Sequence, residues 1–150
     1  MRRCLCLLLT LTLLALILGC GTGYNNPTTN VGLYGNWNVT MYPTGSATPV
    51  YVFGLAMSQE GSSNYSGASI VYNGSVAAPS NMCINASTLT AVASTSGNNF
   101  TMTVTDATSG TVISVTGSLA SQTSELTGNY SNVASSTCPS SSGTVDMLAQ

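Results

Sequence analysis

The 150-residue chain contains no histidine and no lysine, and its only two cationic side chains are Arg2 and Arg3. Everything after Arg3 must fold and function without a positively charged side chain. That excludes nucleic-acid binding by phosphate neutralisation and Arg or Lys phosphate clamps. It also excludes Ser-His-Asp or Cys-His catalysis and metal sites built on imidazole. Acids are scarce too. Glu60, Asp106, Glu125 and Asp146 are the four carboxylate side chains, giving the chain beyond the arginines a side-chain charge of about −4 at neutral pH. No apolar run reaches the ~20 residues of a membrane-spanning helix.

What is present begins at the N-terminus. Arg2 and Arg3 precede an apolar stretch from Leu7 to Leu18, and Leu16-Ile17-Leu18-Gly19-Cys20 closes it. A charged segment, an apolar segment and a small residue in that order read as a secretory signal. With cysteine at the cut site, the stretch resembles the lipobox of bacterial lipoproteins. The alternatives are an uncleaved anchor and an ordinary signal, which favours a small-x-small pattern before the cut. The resemblance implies a diacylglycerol on the Cys20 sulfur, cleavage just before it, and often acylation of the new amine. Two acyl chains hold a protein stably on a membrane, because each buried methylene contributes ~0.8 kcal/mol. Gly21 rather than Asp after the cysteine implies the outer membrane as destination. The expected organisation is a signal peptide over residues 1–19, a lipidated Cys20 and flexible tether over 20–32, and one domain over 33–150.

Of the five cysteines, Cys4 and Cys6 would leave with the signal and Cys20 would carry lipid. Cys83 and Cys138 remain, an even pair in an exported chain, which reads as a disulfide. Closing so long a loop would stabilise by ~4 kcal/mol on the chain-entropy estimate. Two free buried thiols are the alternative. A metal site is disfavoured, since two thiolates without imidazole leave a tetrahedral ion short of ligands.

Gly21 to Gly32 carries Gly-Thr-Gly, Asn-Asn-Pro and Thr-Thr-Asn, a tether reaching at most ~40 Å. Beyond it, serine and threonine supply about a third of all residues, far above an average domain. Mean hydropathy is nevertheless positive at +0.29, so the chain has enough apolar content for one core. Phe100, Met102 and Val104 alternate with Thr101, Thr103 and Thr105, a clean period of two. Similar alternation predicts strands near Leu33–Tyr42, Val50–Gln59, Tyr65–Tyr72, Met82–Ala93, Asn99–Asp106, Thr111–Leu119, Leu126–Ser131 and Gly143–Leu148. Cys83 and Asn85 break the rhythm of the fourth. Turn signals such as Pro43-Thr44-Gly45, Asn73-Gly74 and Gly97-Asn98-Asn99 separate them. The expected fold class is all-β: a single small antiparallel up-and-down β-barrel of about eight strands, with a β-sandwich as the alternative.

Gly35-Asn36-Trp37 opens the first predicted strand. The triplet is similar to the Gly-x-Trp signature of lipocalins and related calycins, with some likeness to avidins. The resemblance implies that Trp37 packs across the closed end of a barrel. The chain lacks both the late-strand Arg that often backs this Trp in lipocalins and the several Trp of an avidin pocket. A large core residue is the plainer reading of Trp37.

Paired carboxylates can hydrolyse glycosides. Here, however, Glu60 precedes Gly61, Asp106 precedes Ala107-Thr108-Ser109-Gly110, Glu125 follows a polar loop, and Asp146 faces away from Val145 and Met147. All four read as exposed turn or surface groups. The expectation is a non-enzymatic outer-membrane lipoprotein without cofactor or metal. It would act as a binding or envelope-structural module, partnered by the membrane through its lipid. If the barrel holds a ligand, a neutral apolar molecule or a glycan suits the lack of cations, with Tyr34, Trp37, Tyr51 and Phe53 as candidate pocket residues. The alternative is a surface adhesion or assembly protein that packs side by side or pairs strands with a protein partner.

Overall fold

Apolar and hydroxyl side chains alternate along the chain, and a strand sends successive side chains to opposite faces. A sheet of such strands has one greasy face that must be hidden. In the computed structural model, which describes residues 32–71, 78–119 and 124–150, that face is hidden by rolling the sheet into a tube. The strands are β1 (Gly35–Pro43), β2 (Tyr51–Gln59), β3 (Asn64–Ile70), β4 (Leu89–Ser96), β5 (Asn99–Asp106), β6 (Val112–Ser118), β7 (Glu125–Asn132) and β8 (Ser141–Ala149). Each pairs antiparallel with the next, and β8 pairs with β1 from Trp37↔Ala149 to Pro43↔Gly143. The result is a closed eight-strand up-and-down barrel rather than a sandwich. Closure joins β1 to β8 and leaves the sheet without a free edge strand.

Inward positions carry the apolar residues. Trp37, Val39 and Met41 of β1 face Phe53, Leu55 and Met57 of β2, and Phe100, Met102 and Val104 of β5 face Ile113 and Val115 of β6; none is more than 4% exposed. An eight-strand barrel encloses a space just wide enough for side chains to fill or for one small ligand. Burying each such side chain contributes ~1.5–3 kcal/mol. Outward positions are mostly Thr, Ser and Asn, as in Thr101, Thr103 and Thr105 of β5 or Thr127, Asn129 and Ser131 of β7. This polarity is opposite to that of a membrane-spanning barrel, which is apolar outside and polar within. Among the described residues no helix is long and apolar enough to cross a membrane. All core residues lie between Leu33 and Met147, and the first strand pairs with the last, so the barrel is a self-contained folding unit.

Two facing glycines shape one wall. Gly117 of β6 is paired with Gly128 of β7. A Cβ on Gly128 would lie 2.2 Å from the Thr116 carbonyl oxygen, and one on Gly117 would lie 2.5 Å from Cε1 of Phe100. The two strands approach closely here: the Phe100 ring occupies the room that the absent Gly117 side chain leaves, and the β6 backbone lies where a Gly128 side chain would be. Glycine inside a strand has this use where another group approaches closely.

Most predicted strands match the observed ones to within two residues. The fourth does not: β4 begins at Leu89, not Met82. The β3–β4 ladder stops at Ala68↔Thr90, so residues 82–88 have no β3 neighbour to pair with, and they form turns over the barrel end instead. Leu33 also lies outside β1. It is fully buried, and its carbonyl accepts a 2.9 Å hydrogen bond from Trp37 Nε1. Tyr72, the Asn73-Gly74 turn signal, and the expected signal peptide, Cys20 and tether up to residue 31 lie outside the described residues.

The Gly117–Gly128 contact yields a direct expectation. Gly128→Ala should destabilise the barrel by about 1–3 kcal/mol or more, the usual cost of overpacking, read as a lower urea midpoint with an unchanged slope. A midpoint equal to that of the parent would refute this account of the close approach.

Candidate functional site

The two ends of the barrel differ. The chain enters at one end, beside the short 60–63 and 97–98 turns. The 119–124 connection lies at that end too, and the other end carries the connections at residues 44–50, 71–88, 107–111 and 133–140. The 71–88 connection turns twice, with Met82 N donating to Pro79 O at 3.1 Å and Thr88 N to Asn85 O at 3.1 Å. The Asn85 side chain accepts from Ser87 N at 3.0 Å and Ser87 Oγ at 2.6 Å, the local turn chemistry of Asn. Between these turns Cys83 is bonded to Cys138 of the β7–β8 connection, with Cα atoms 5.2 Å apart across 55 residues of sequence. The expected disulfide is thus present, tying two connections together over one end of the barrel.

Asp106 anchors the same connection from below. It ends β5 and is only 1% exposed, which corrects the expectation of a surface turn carboxylate. Alternation along Phe100, Met102 and Val104 places residue 106 on the inward face, and this is the sequence signal that the turn-like Asp-Ala-Thr-Ser-Gly stretch masked. Its Oδ1 accepts from Thr88 Oγ1 at 2.7 Å and Thr108 N at 2.9 Å; its Oδ2 accepts from Ser109 Oγ at 2.7 Å and Asn85 N at 3.0 Å. Burial pushes the carboxyl pKa up, but the hydrogen bonds from Ser109, Asn85, Thr88 and Thr108 outweigh it and hold the group well below the ordinary carboxylate range. A buried charge here is stabilised entirely by hydroxyl and amide dipoles. With both oxygens engaged and the proton held off, Asp106 is a brace and is poorly suited to general acid or base work.

Beside it, Tyr51 and Tyr130 meet edge to face with ring centroids 6.0 Å apart. Tyr51 Oη donates to Asn132 Oδ1 at 3.2 Å and lies 3.7 Å from Cys83 Sγ, and Asn132 Nδ2 donates to Pro139 O at 2.9 Å. Tyr130 Oη is 2.7 Å from Ser141 Oγ. Burial raises the pKa of both phenols, and each therefore stays neutral well into the alkaline range.

The four candidate pocket residues are not assembled into one place. Tyr34 is 58% exposed at the entry end. Trp37 is fully buried near the same end, paired across from Leu55 and Ala149. Tyr51 is 1% exposed and sits at the opposite end of the ladder, paired with Met41, with the 4%-exposed Phe53 one level below it. The remaining acids are also apart from Asp106: Glu60 is in the exposed β2–β3 turn, where its carboxylate accepts from Ser66 Oγ, Glu125 starts β7, and Asp146 is on the outward face of β8. Among the described residues no group of three His, Cys, Asp or Glu side chains could hold a metal ion.

The chain matches no protein-family model, no curated protein and no solved structure. The function must therefore be argued from the barrel itself.

The Asp106 brace predicts a pH signature. A lowered folded pKa contributes stability above the unfolded value of ~3.9, and the contribution is lost as pH falls through the folded value. Asp106→Asn should cost about 2–4 kcal/mol near pH 7, since two donors lose their acceptor in a buried site. That difference should shrink below about pH 4. Urea titrations of both proteins at several pH values measure it, and a gap that stays constant into strong acid rules the brace out.

Proposed function

We propose that this protein is a lipid-anchored outer-membrane lipoprotein whose barrel is a non-enzymatic envelope-structural module, not a carrier with a ligand in its lumen. The observation that carries the reading is the interior. The inward face is occupied by the chain's own side chains, with Trp37, Val39, Met41, Leu55, Val104, Val145 and Met147 all fully buried. A carrier of the lipocalin kind needs that space for its ligand.

Three further features support the reading. The outer face is hydroxylated and almost uncharged, so it presents hydrogen-bonding groups to neighbours without long-range electrostatic selection. The disulfide suits an oxidising compartment outside the cytoplasm. The chain enters at the end opposite the disulfide cap, so an anchor at Cys20 would leave the capped end directed away from the membrane, within the ~40 Å reach of the tether.

Expression of the full chain in a Gram-negative host with labelled palmitate tests the anchor. Label should enter the parent protein and sediment with outer membranes. Cys20→Ala should carry no label and leave the membrane fraction. Label persisting on Cys20→Ala, or a mature N-terminus other than Cys20, would overturn the assignment.

A further inference from the structure

The barrel wall has a window at its capped end. β2 pairs with β3 only from Gly54↔Ile70 onward, and β3 pairs with β4 only as far as Ala68↔Thr90. Tyr51, Val52 and Phe53 of β2 therefore extend past the last β3 partner among the described residues. Beyond the last β3–β4 pair, Leu89 N of β4 donates to Ser69 Oγ of β3 at 3.2 Å. Residues 82–87 close the window from outside. Ile84 inserts into the core at 5% exposure, and Met82 and Ala86 pack partly buried beside it.

Closure is incomplete. A cleft of about 530 Å³ remains between wall and connection, lined by Phe53, Ile70, Val71, Met82, Ile84 and Ala86, with its base at Gly54. Its volume and largely apolar lining fall in the range of small-molecule sites. Val71 is 87% exposed at the edge of this cleft. Exposed apolar side chain costs free energy that a covering molecule would recover. The outer wall of the cleft is rigidly placed. Ile84 lies between Cys83, which is bonded to Cys138, and Asn85, whose N–H is held by Asp106. A wall fixed on both sides loses little freedom on binding.

We propose that this wall cleft is a binding site for the aliphatic chain of a neutral single-chain amphiphile, such as a fatty alcohol. The lining fixes the chemistry. Among the described residues no ionisable side chain borders the cleft, and the chain beyond Arg3 has no cation to meet a carboxylate or phosphate head. Asn85 and Ser87 put an amide and a hydroxyl on the rim, where an uncharged hydroxyl head can hydrogen-bond. The site is in the wall, so it is compatible with a filled lumen and goes beyond the structural role proposed above.

Methionine methyl groups report on it. In the barrel segment 21–150, Met41, Met57, Met102 and Met147 lie inside the barrel at 0–2% exposure, and Met82 lies in the cleft. With ¹³C-methyl methionine and n-decanol as probe, the Met82 resonance should shift saturably while the Met57 and Met147 resonances stay in place. Decanoate at about pH 8, ionised there, should bind at least about tenfold more weakly. Ala86→Phe fills the cleft and should abolish the shift. Val71→Asp, at an exposed position that does not threaten the fold, should weaken decanol binding at least about fivefold. A Met82 resonance unmoved by decanol, a shift that fails to saturate, equal affinity for decanoate, or undiminished binding to Val71→Asp would each overturn the site.

Discussion

The ladder between β1 and β8 is the constraint on which the rest of the molecule depends. Once Trp37 to Pro43 pair with Ala149 to Gly143, the inward faces of all eight strands share one enclosed volume. Val, Leu, Met and aromatic side chains point into that volume and are buried there. Closure also joins the two terminal strands of the sheet to each other, so polar decoration outside can be short and uncharged. A lone open sheet of such neutral strands would present edges prone to pairing with other chains. Here the edges are joined to each other.

The absence of cations makes the capped end depend on dipoles. A buried carboxylate usually meets Arg or Lys; Asp106 instead meets two hydroxyls and two backbone N–H groups. Hydrogen bonds to a charged group are stronger than neutral ones; two of the four, from Asn85 N and Thr88 Oγ1, pin the long connection, and two, from Thr108 N and Ser109 Oγ, order the β5–β6 turn. The disulfide acts on the same connection at Cys83. The two devices complement each other: the disulfide restricts the unfolded chain, and the carboxylate orders the folded one. Both hold in place the wall of the apolar cleft beside Phe53 and Ile84.

The strand positions were legible because the core is one-sided. Alternation along Trp37, Val39 and Met41, or along Phe100, Met102 and Val104, records which face is buried. The same rule misled at Met82, Ile84 and Ala86, which alternate like a strand. They do reach the core, but from a turn-rich connection with no neighbouring strand to pair with. Asp106 was misplaced for a related reason. Its turn-forming neighbours describe Ala107 to Gly110 correctly and say nothing of the inward face on which β5 ends. The choice of barrel over sandwich was not legible, because it rests on a pairing between strands about a hundred residues apart. The cleft was invisible too, since it arises where β3 falls short of its neighbours.

The central claim is that the lumen is full and that any ligand must bind on or in the wall. A crystal structure of the barrel under xenon pressure tests it most directly, because xenon enters dry apolar cavities within proteins. The account predicts no xenon site in the lumen among Val39, Val104, Val115 and Met147. A xenon atom there would contradict it and return the barrel to the class of lumen-binding carriers.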